Sequence, residues 1–243
     1  MLTTDTKLNL TDLPERLRTP FGRYVETLRE IFTATARGVT VYGPAVTGDF
    51  DPQVHAVRNV LVVEKVDLDA LRRLSERGRQ LGRDGIAAPL IMTADYVKQS
   101  LDTFPLELIE IGETGSTVFG DNLFDDLSPE DAHVRLQCER ELKVLLIGLR
   151  QGLLTAAGRE RVVAALEIDA GAGLLRTMRG LLWRKGERKV RGMAEVLSAM
   201  EKSSERKWPA IRTALNRSGA HGWQEFVALY DEVQALSEVA NAS

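Results

Sequence analysis

The sequence predicts an α+β protein, a small mixed sheet with flanking helices, followed by an all-α helical bundle. Three observations predict this. Short β-branched and apolar runs bounded by turn formers, Val39-Thr-Val-Tyr42 and Val57 to Val63 foremost, occur only in the first half. Apolar residues at three- and four-residue steps mark helices before and after these runs and through the second half. Near Ser128 the character of the chain changes and nothing after it reads as a strand, which places a boundary near residue 125 and separates a domain 1–125 from a bundle 126–243. With 243 residues and 44% hydrophobic content, the chain can bury a core without metals or crosslinks.

The elements follow in order. From Leu13 to about Ala36, Leu17, Phe21, Val25, Leu28 and Phe32 share one helical face. Two strands come next, Val39 to Tyr42 and Val57 to Val63, joined by a Gly/Pro/Asp-rich loop that is the place for function in this half. Leucines 68, 71, 74 and 81 predict a helix from Asp67 to Leu81, loosened at its end by glycines 78, 82 and 85. Ala87 to Met92 reads as a third strand. Thr93 caps a short helix through Leu101, and Leu106 to Ile111 alternates with glutamate as a fourth strand. Ser128-Pro-Glu-Asp131 offers a capping hydroxyl, a first-turn proline and acids, so a helix starts there and carries the stripe Cys138, Leu142, Leu145, Leu149 and Leu153. Further helices run over 158–183, where Gly171-Ala-Gly173 is a potential kink, and over 193–202, 205–216 and 223–239.

Charge and cysteine content narrow the function classes. The 32 basic and 35 acidic residues leave a net charge of −3, so no polyanion binder or acidic tail is expected from the total and any electrostatic function must be local. A single cysteine, Cys138, excludes an internal disulfide and a cysteine-based zinc finger. Its place on an apolar stripe predicts a buried, inert thiol. Histidines 55, 133 and 221 share no metal-ligand spacing. Met1 to Leu10 lacks the apolar core of a secretion signal, and no apolar run approaches the roughly 20 residues needed to span a bilayer. A cytoplasmic protein without a membrane partner is the expectation.

At Val41-Tyr-Gly-Pro44 and Val57-Arg-Asn-Val-Leu-Val-Val63, the chain resembles the nucleotidyltransferase superfamily, which includes the antibiotic nucleotidyltransferases and the polymerase-beta type. The resemblance covers roughly the first half. In that family a strand ends in a Gly-Ser turn, an acidic pair spaced by one residue opens the next strand, and a third acid follows on a later one. Two hard magnesium ions need such carboxylate oxygens on one sheet edge to bridge a triphosphate and the attacking hydroxyl. Here Gly43 matches, but Pro44 replaces the serine and can donate neither hydroxyl nor amide. The acidic pair falls on Val57 and Asn59, or on Asn59 and Leu61 if the register shifts by two, and neither choice supplies a carboxylate. Only the third acid is retained, as Glu107 or Glu110. The one acid-x-acid pair nearby, Asp49 and Asp51, sits in the turn Gly48-Asp-Phe-Asp-Pro52.

The resemblance therefore implies a non-catalytic nucleotidyltransferase-fold protein, with Gly43 and Asn59 at the nucleotide position, acting as a ligand-binding or protein-interaction module. Its partner would be a nucleotide or another protein. The alternative is a metal-dependent nucleotidyltransferase moving a nucleoside monophosphate to a small acceptor, with Asp49 and Asp51 holding magnesium and Glu107 or Glu110 as the base. The run Leu136-Gln-Cys-Glu-Arg-Glu-Leu142 resembles the bundles that follow the catalytic domain in this superfamily. The ribonuclease motif of related bundles sets its arginine and histidine farther apart than Arg217 and His221. A third reading rests on Arg176, Arg179, Arg184, Lys185, Arg188, Lys189 and Arg191 around Trp183, opposed by Glu187 alone: an anion-binding patch for nucleic acid, with Trp183 stacking on a base. Its plainer explanation is a solvated helix end with Trp183 in the core.

Overall fold

The computed structural model of the protein describes residues 8–217 and 222–242. The chain divides into two compact units, Met1–Leu101 with Glu110–Ser128, and Asp102–Ile109 with Pro129–Ser243. The fold is α+β, with a four-stranded mixed sheet in the first unit and helices alone in the main span of the second.

In the first unit, helix α1 (Glu15–Phe32) buries Leu17, Phe21, Val25, Leu28 and Phe32 as the spacing predicts, together with Tyr24. A 3₁₀ turn at Thr33–Thr35 ends it and leads into strand β1 (Ala36–Tyr42). The short helix α2 (Pro44–Thr47) follows, then strand β2 (Arg58–Val63). The helix expected over 67–81 is divided into α3 (Leu68–Ser75) and α4 (Gly78–Arg83). Asp67 caps α3 by accepting from the amides of Asp69 and Ala70. Strand β3 (Leu90–Met92) is shorter than expected. Helix α5 (Ala94–Gln99) has the predicted cap, with Thr93 Oγ1 accepting from Tyr96 N at 3.1 Å.

The expectation for Leu106 to Ile111 is corrected: this run is helix α6 (Pro105–Thr114), and strand β4 lies beyond it at Ser116–Gly120. Leu106, Leu108, Ile109, Glu110, Ile111 and Thr114 are all buried. A helix covered on most of its sides shows no 3.6-residue amphipathic period, so its leucines and glutamates imitate strand alternation. The sheet order is β3-β2-β1-β4, with β1 antiparallel to β2 and β4 and β2 parallel to β3. Val39 and Val41 of β1 and Leu61 and Val63 of β2 share one core with Phe21, Leu28 and Phe32 of α1. Alternate strand residues thus face the helix, as the two-residue period of a strand requires.

The second unit contains α7 (Asp131–Ala156), α8 (Glu160–Arg184), α9 (Met193–Ser204), α10 (Pro209–Asn216) and α11 (Trp223–Ala242). Ser128 is not the cap of α7, because Glu130 is still extended (φ −69°, ψ 139°) and occupies the cap position. The Gly171-Ala-Gly173 step leaves α8 unbroken. A Cβ on Gly171 would come within 3.3 Å of the Ala214 carbonyl oxygen, so its bareness serves the close approach of α10. The helix expected from Glu205 begins only at Pro209, because Glu205 turns left-handed (φ 52°) to end α9. Leu142, Leu174, Met178, Trp208 and Leu236 are fully buried in the bundle core. Among the described residues no helix is long and apolar enough to cross a membrane.

One glycine closes the sheet edge. Gly120 has φ +70° and pairs with Gly38, and a Cβ there would overlap the carbonyl of Arg37. Gly120→Ala is expected to destabilise the protein by about 2–4 kcal/mol, measured as a lowered urea midpoint with an unchanged slope.

Candidate functional site

The place to look for function is the turn between β1 and α2 with the facing start of β2. Gly43 leaves β1 with φ +73°, and Pro44 opens α2 at its first position, where a missing amide costs nothing. The antiparallel register sets Arg58 opposite Tyr42 and Asn59 opposite Val41. Arg58 therefore lies over the turn. Its guanidinium is 4.7 Å from the Tyr42 ring centroid and fills the space that a Cβ on Gly43 would occupy. Glu110 of α6 meets this guanidinium at 2.6 Å, Oε1 to Nη2, with a second, longer approach of 3.4 Å from Nη1 to Oε2. One turn further along α6, Thr114 Oγ1 accepts from the Gly43 amide at 3.0 Å and donates to the Glu110 carbonyl at 2.7 Å. Pro44 has no amide to offer and the amide of Gly43 is committed to Thr114.

Asn59 is 1% exposed. Its Oδ1 accepts from the Tyr24 hydroxyl at 2.9 Å, and its Nδ2 donates to the Ala87 carbonyl at 3.1 Å, with a longer contact of 3.4 Å to the Val57 carbonyl. The position needs an acceptor on one side and a donor on the other. An ionised carboxylate has no donor, so asparagine suits it where aspartate does not. Burial raises the Tyr24 phenol above its usual range, and the hydrogen bond to Asn59 partly offsets this. Val57 is fully buried in the apolar core.

The remaining sequence candidates are dispersed. Asp49 Oδ2 accepts from Thr47 Oγ1 at 2.8 Å, and Asp51 Oδ1 accepts from the Gln53 amide at 2.9 Å, both local turn contacts. His55 belongs to the same turn, its Nδ1 accepting from the Asp51 amide at 3.1 Å. Glu107 is on a helix, not a strand, and lies in the second unit, where Gln137 donates to it at 2.9 Å and Arg176 approaches at 3.3 Å. Glu110 is likewise helical and paired with Arg58. Among the described residues no group of three or more His, Cys, Asp or Glu could hold a metal ion. His221 lies outside the described residues.

The expected anion-binding patch is largely occupied by structural contacts. Arg184 pairs with Asp131 through Nε at 2.8 Å and Nη2 at 2.9 Å, which holds the Asp131 carboxyl below the usual range. Arg179 is 4% exposed and donates to the carbonyls of Val190 and Arg191. Lys185 donates to the Ser203 carbonyl at 3.1 Å. Arg188 packs over the Trp183 ring at 4.1 Å and donates to the Trp183 carbonyl. At Arg191 the contact is through the backbone, its main-chain amide donating to Glu195 at 3.0 Å. Trp183 is only 9% exposed, so it is a core residue and not a stacking platform.

The residues that sequence reasoning missed are Arg58, Tyr24 and Thr114. Arg58 had a visible signal, a cation set between the two positions compared with the acidic pair. Tyr24 and Thr114 reach the site from 35 and 71 residues away in sequence, and nothing local announces them. Beside the turn lies an open cleft of about 790 Å³ bordered by Leu13, Arg16, Ala45, Gly48 and Phe50.

No protein-family model and no curated protein matches the sequence. Among solved structures, the fold is similar to that of spectinomycin adenyltransferase from Enterococcus faecialis, determined with ATP and spectinomycin. The TM-score is 0.57 at 12% identity, over 92% of this chain and 98% of that chain. The fold is thus nucleotidyltransferase-like, with a helical C-terminal part.

Two outcomes follow from the site and its surroundings. Tyr24→Phe removes the donor to the buried Asn59 oxygen and should lower stability by about 1–3 kcal/mol in denaturant unfolding. Burial pushes the Cys138 thiol up to about 12, so at pH 8 only roughly 10⁻⁴ of it is thiolate, the reactive form. Iodoacetamide should therefore leave the native protein unlabelled and modify Cys138 only after unfolding, as read by mass spectrometry.

Proposed function

We propose that this chain uses the nucleotidyltransferase-like fold without its metal chemistry, as a module that binds a ligand or a protein. The observation that carries this reading is what stands at the start of β2: Val57, Arg58 and Asn59, in the stretch that the family resemblance compares with the acidic pair. Val57 is buried and apolar, and Asn59 is sealed beneath Tyr24 with its amide in use. Between them Arg58 brings a positive charge to the turn, paired with Glu110. Magnesium needs oxygen ligands, usually one or two carboxylates with water and phosphate. A guanidinium at that place repels the ion. The one nearby acid belongs to the arginine, and Asp49 and Asp51 are engaged in their own turn.

An anionic ligand group could compete with Glu110 for Arg58, while the cleft beside Ala45 and Gly48 leaves room for a body next to it. ATP, which the similar adenyltransferase structure holds, is the natural first probe.

Thermal unfolding against a nucleoside triphosphate panel, each with and without magnesium or manganese, tests the reading. A ligand at a hundredfold excess over its Kd adds about 2.7 kcal/mol to native stability, enough for a clear rise in Tm. Any rise should be the same with and without metal and should be lost in Arg58→Ala. A metal-dependent rise accompanied by pyrophosphate release, and abolished by Asp49→Ala with Asp51→Ala, would establish the catalytic alternative.

A further inference from the structure

The second unit carries its exposed apolar surface on two helices. Among its described residues, the exposed large hydrophobic side chains are Leu136, Val144, Ile147 and Leu154 on α7, Trp223 and Val227 on α11, and Phe104 outside both. Leu154 is 80% exposed and Trp223 65%. On α7 these residues lie on the face opposite the buried Cys138, Leu142 and Leu149. Natural surfaces seldom align several large apolar residues along one helix without a partner.

The two helices differ in charge. The outer face of α7 carries exposed Arg135, Arg140, Lys143 and Arg150, while Glu139 is shared between Arg135 and Lys143 at 3.1 and 3.5 Å. Helix α11 has four acids, Glu225, Asp231, Glu232 and Glu238, and neither lysine nor arginine. Glu232 is turned inward, accepting from the amides of Ala210 and Ile211, but Asp231 and Glu238 are exposed. Along α7 exposed apolar and basic side chains alternate, from Arg135 and Leu136 to Arg150 and Leu154. On α11 the exposed apolar residues, Trp223 and Val227, lie N-terminal to the exposed acids, Asp231 and Glu238.

Gly148 gives a second, independent indication. It sits in the middle of α7 on the exposed face, and a Cβ built there would meet nothing within 4 Å. Glycine inside a helix is less favourable than alanine, and no contact within the described chain uses its lack of a side chain. It leaves a notch beside Val144 and Ile147 that an approaching bulky side chain can fill.

We infer that α7 of one molecule packs antiparallel on α11 of a second copy of this chain. Antiparallel alignment with Ile147 opposite Val227 sets Lys143 opposite Asp231, brings Glu238 opposite Leu136 and within about one turn of Arg140, and seats Trp223 over Gln151 and the Gly148 notch. A helix of 20 residues is about 30 Å long and covers a strip about 10 Å wide, roughly 300 Å² on each partner. A two-fold axis repeats the contact, so the total reaches about 1,200 Å², the lower bound of a stable interface. The inference is independent of the function proposed above.

Sedimentation velocity over a concentration series at low salt is the test, with circular dichroism confirming that each variant is folded. The expected result is a species of twice the 26.9 kDa chain mass that weakens as salt is raised. Lys143→Glu should weaken dimerisation at least about tenfold, and adding Asp231→Lys to the same chain should restore it. A monomer at every concentration would overturn the inference. So would a dimer indifferent to Lys143→Glu, or a folded double variant in which association is not restored.

Discussion

The polar anchor of the site is the amide of Asn59, buried where two requirements meet. Its oxygen must accept from Tyr24 and its nitrogen must donate to Ala87. A buried group with two opposite requirements accepts very few side chains, since leaving either partner unsatisfied costs about 1–3 kcal/mol. The same contacts tie α1, β2 and the segment leading to β3, so the amide that occupies the site also holds the unit together. Chemistry and packing are coupled at this position: a charge cannot be introduced for one without disturbing the other.

Around that anchor the turn is closed by contacts that need no ligand. Thr114 takes the Gly43 amide and Glu110 takes Arg58. Both come from α6, which also carries Glu107 into the second unit. Since Arg58 is partly exposed, its bond to Glu110 is worth less than a buried one, and screening by water keeps it exchangeable. The Asn59 network is therefore the rigid part of the site and the Arg58 pair the adaptable part.

The bundle applies a comparable logic to its cations. Most of the basic residues around Trp183 have specific internal partners: Arg184 with Asp131, Arg179 with the carbonyls of the loop after α8, Lys185 with the end of α9. Positive charge at the C-terminal end of a long helix also suits the helix dipole. A run of arginines in a sequence is thus compatible with an entirely structural role.

The sequence by itself determined the architecture wherever one face of an element is buried and the other exposed. Helix α1, strands β1 and β2, the Thr93 cap and the five helices of the bundle were legible because amphipathic spacing records burial directly. It also determined that the start of β2 lacks a pair of acids, since side-chain identity is written in the sequence. Tertiary structure decided the rest. Leu106 to Ile111 has its apolar residues covered on most sides and carries no period to read, so only packing made it helix α6 and passed the fourth strand to Ser116–Gly120. Tyr24 and Thr114 became site residues only because the fold brings them to Asn59 and Gly43 across long stretches of chain, and Glu110, legible as an acid, found its partner Arg58 only in the fold. Hydrogen bonds between distant side chains leave no local pattern in a sequence, and their geometry exists only once the chain is folded.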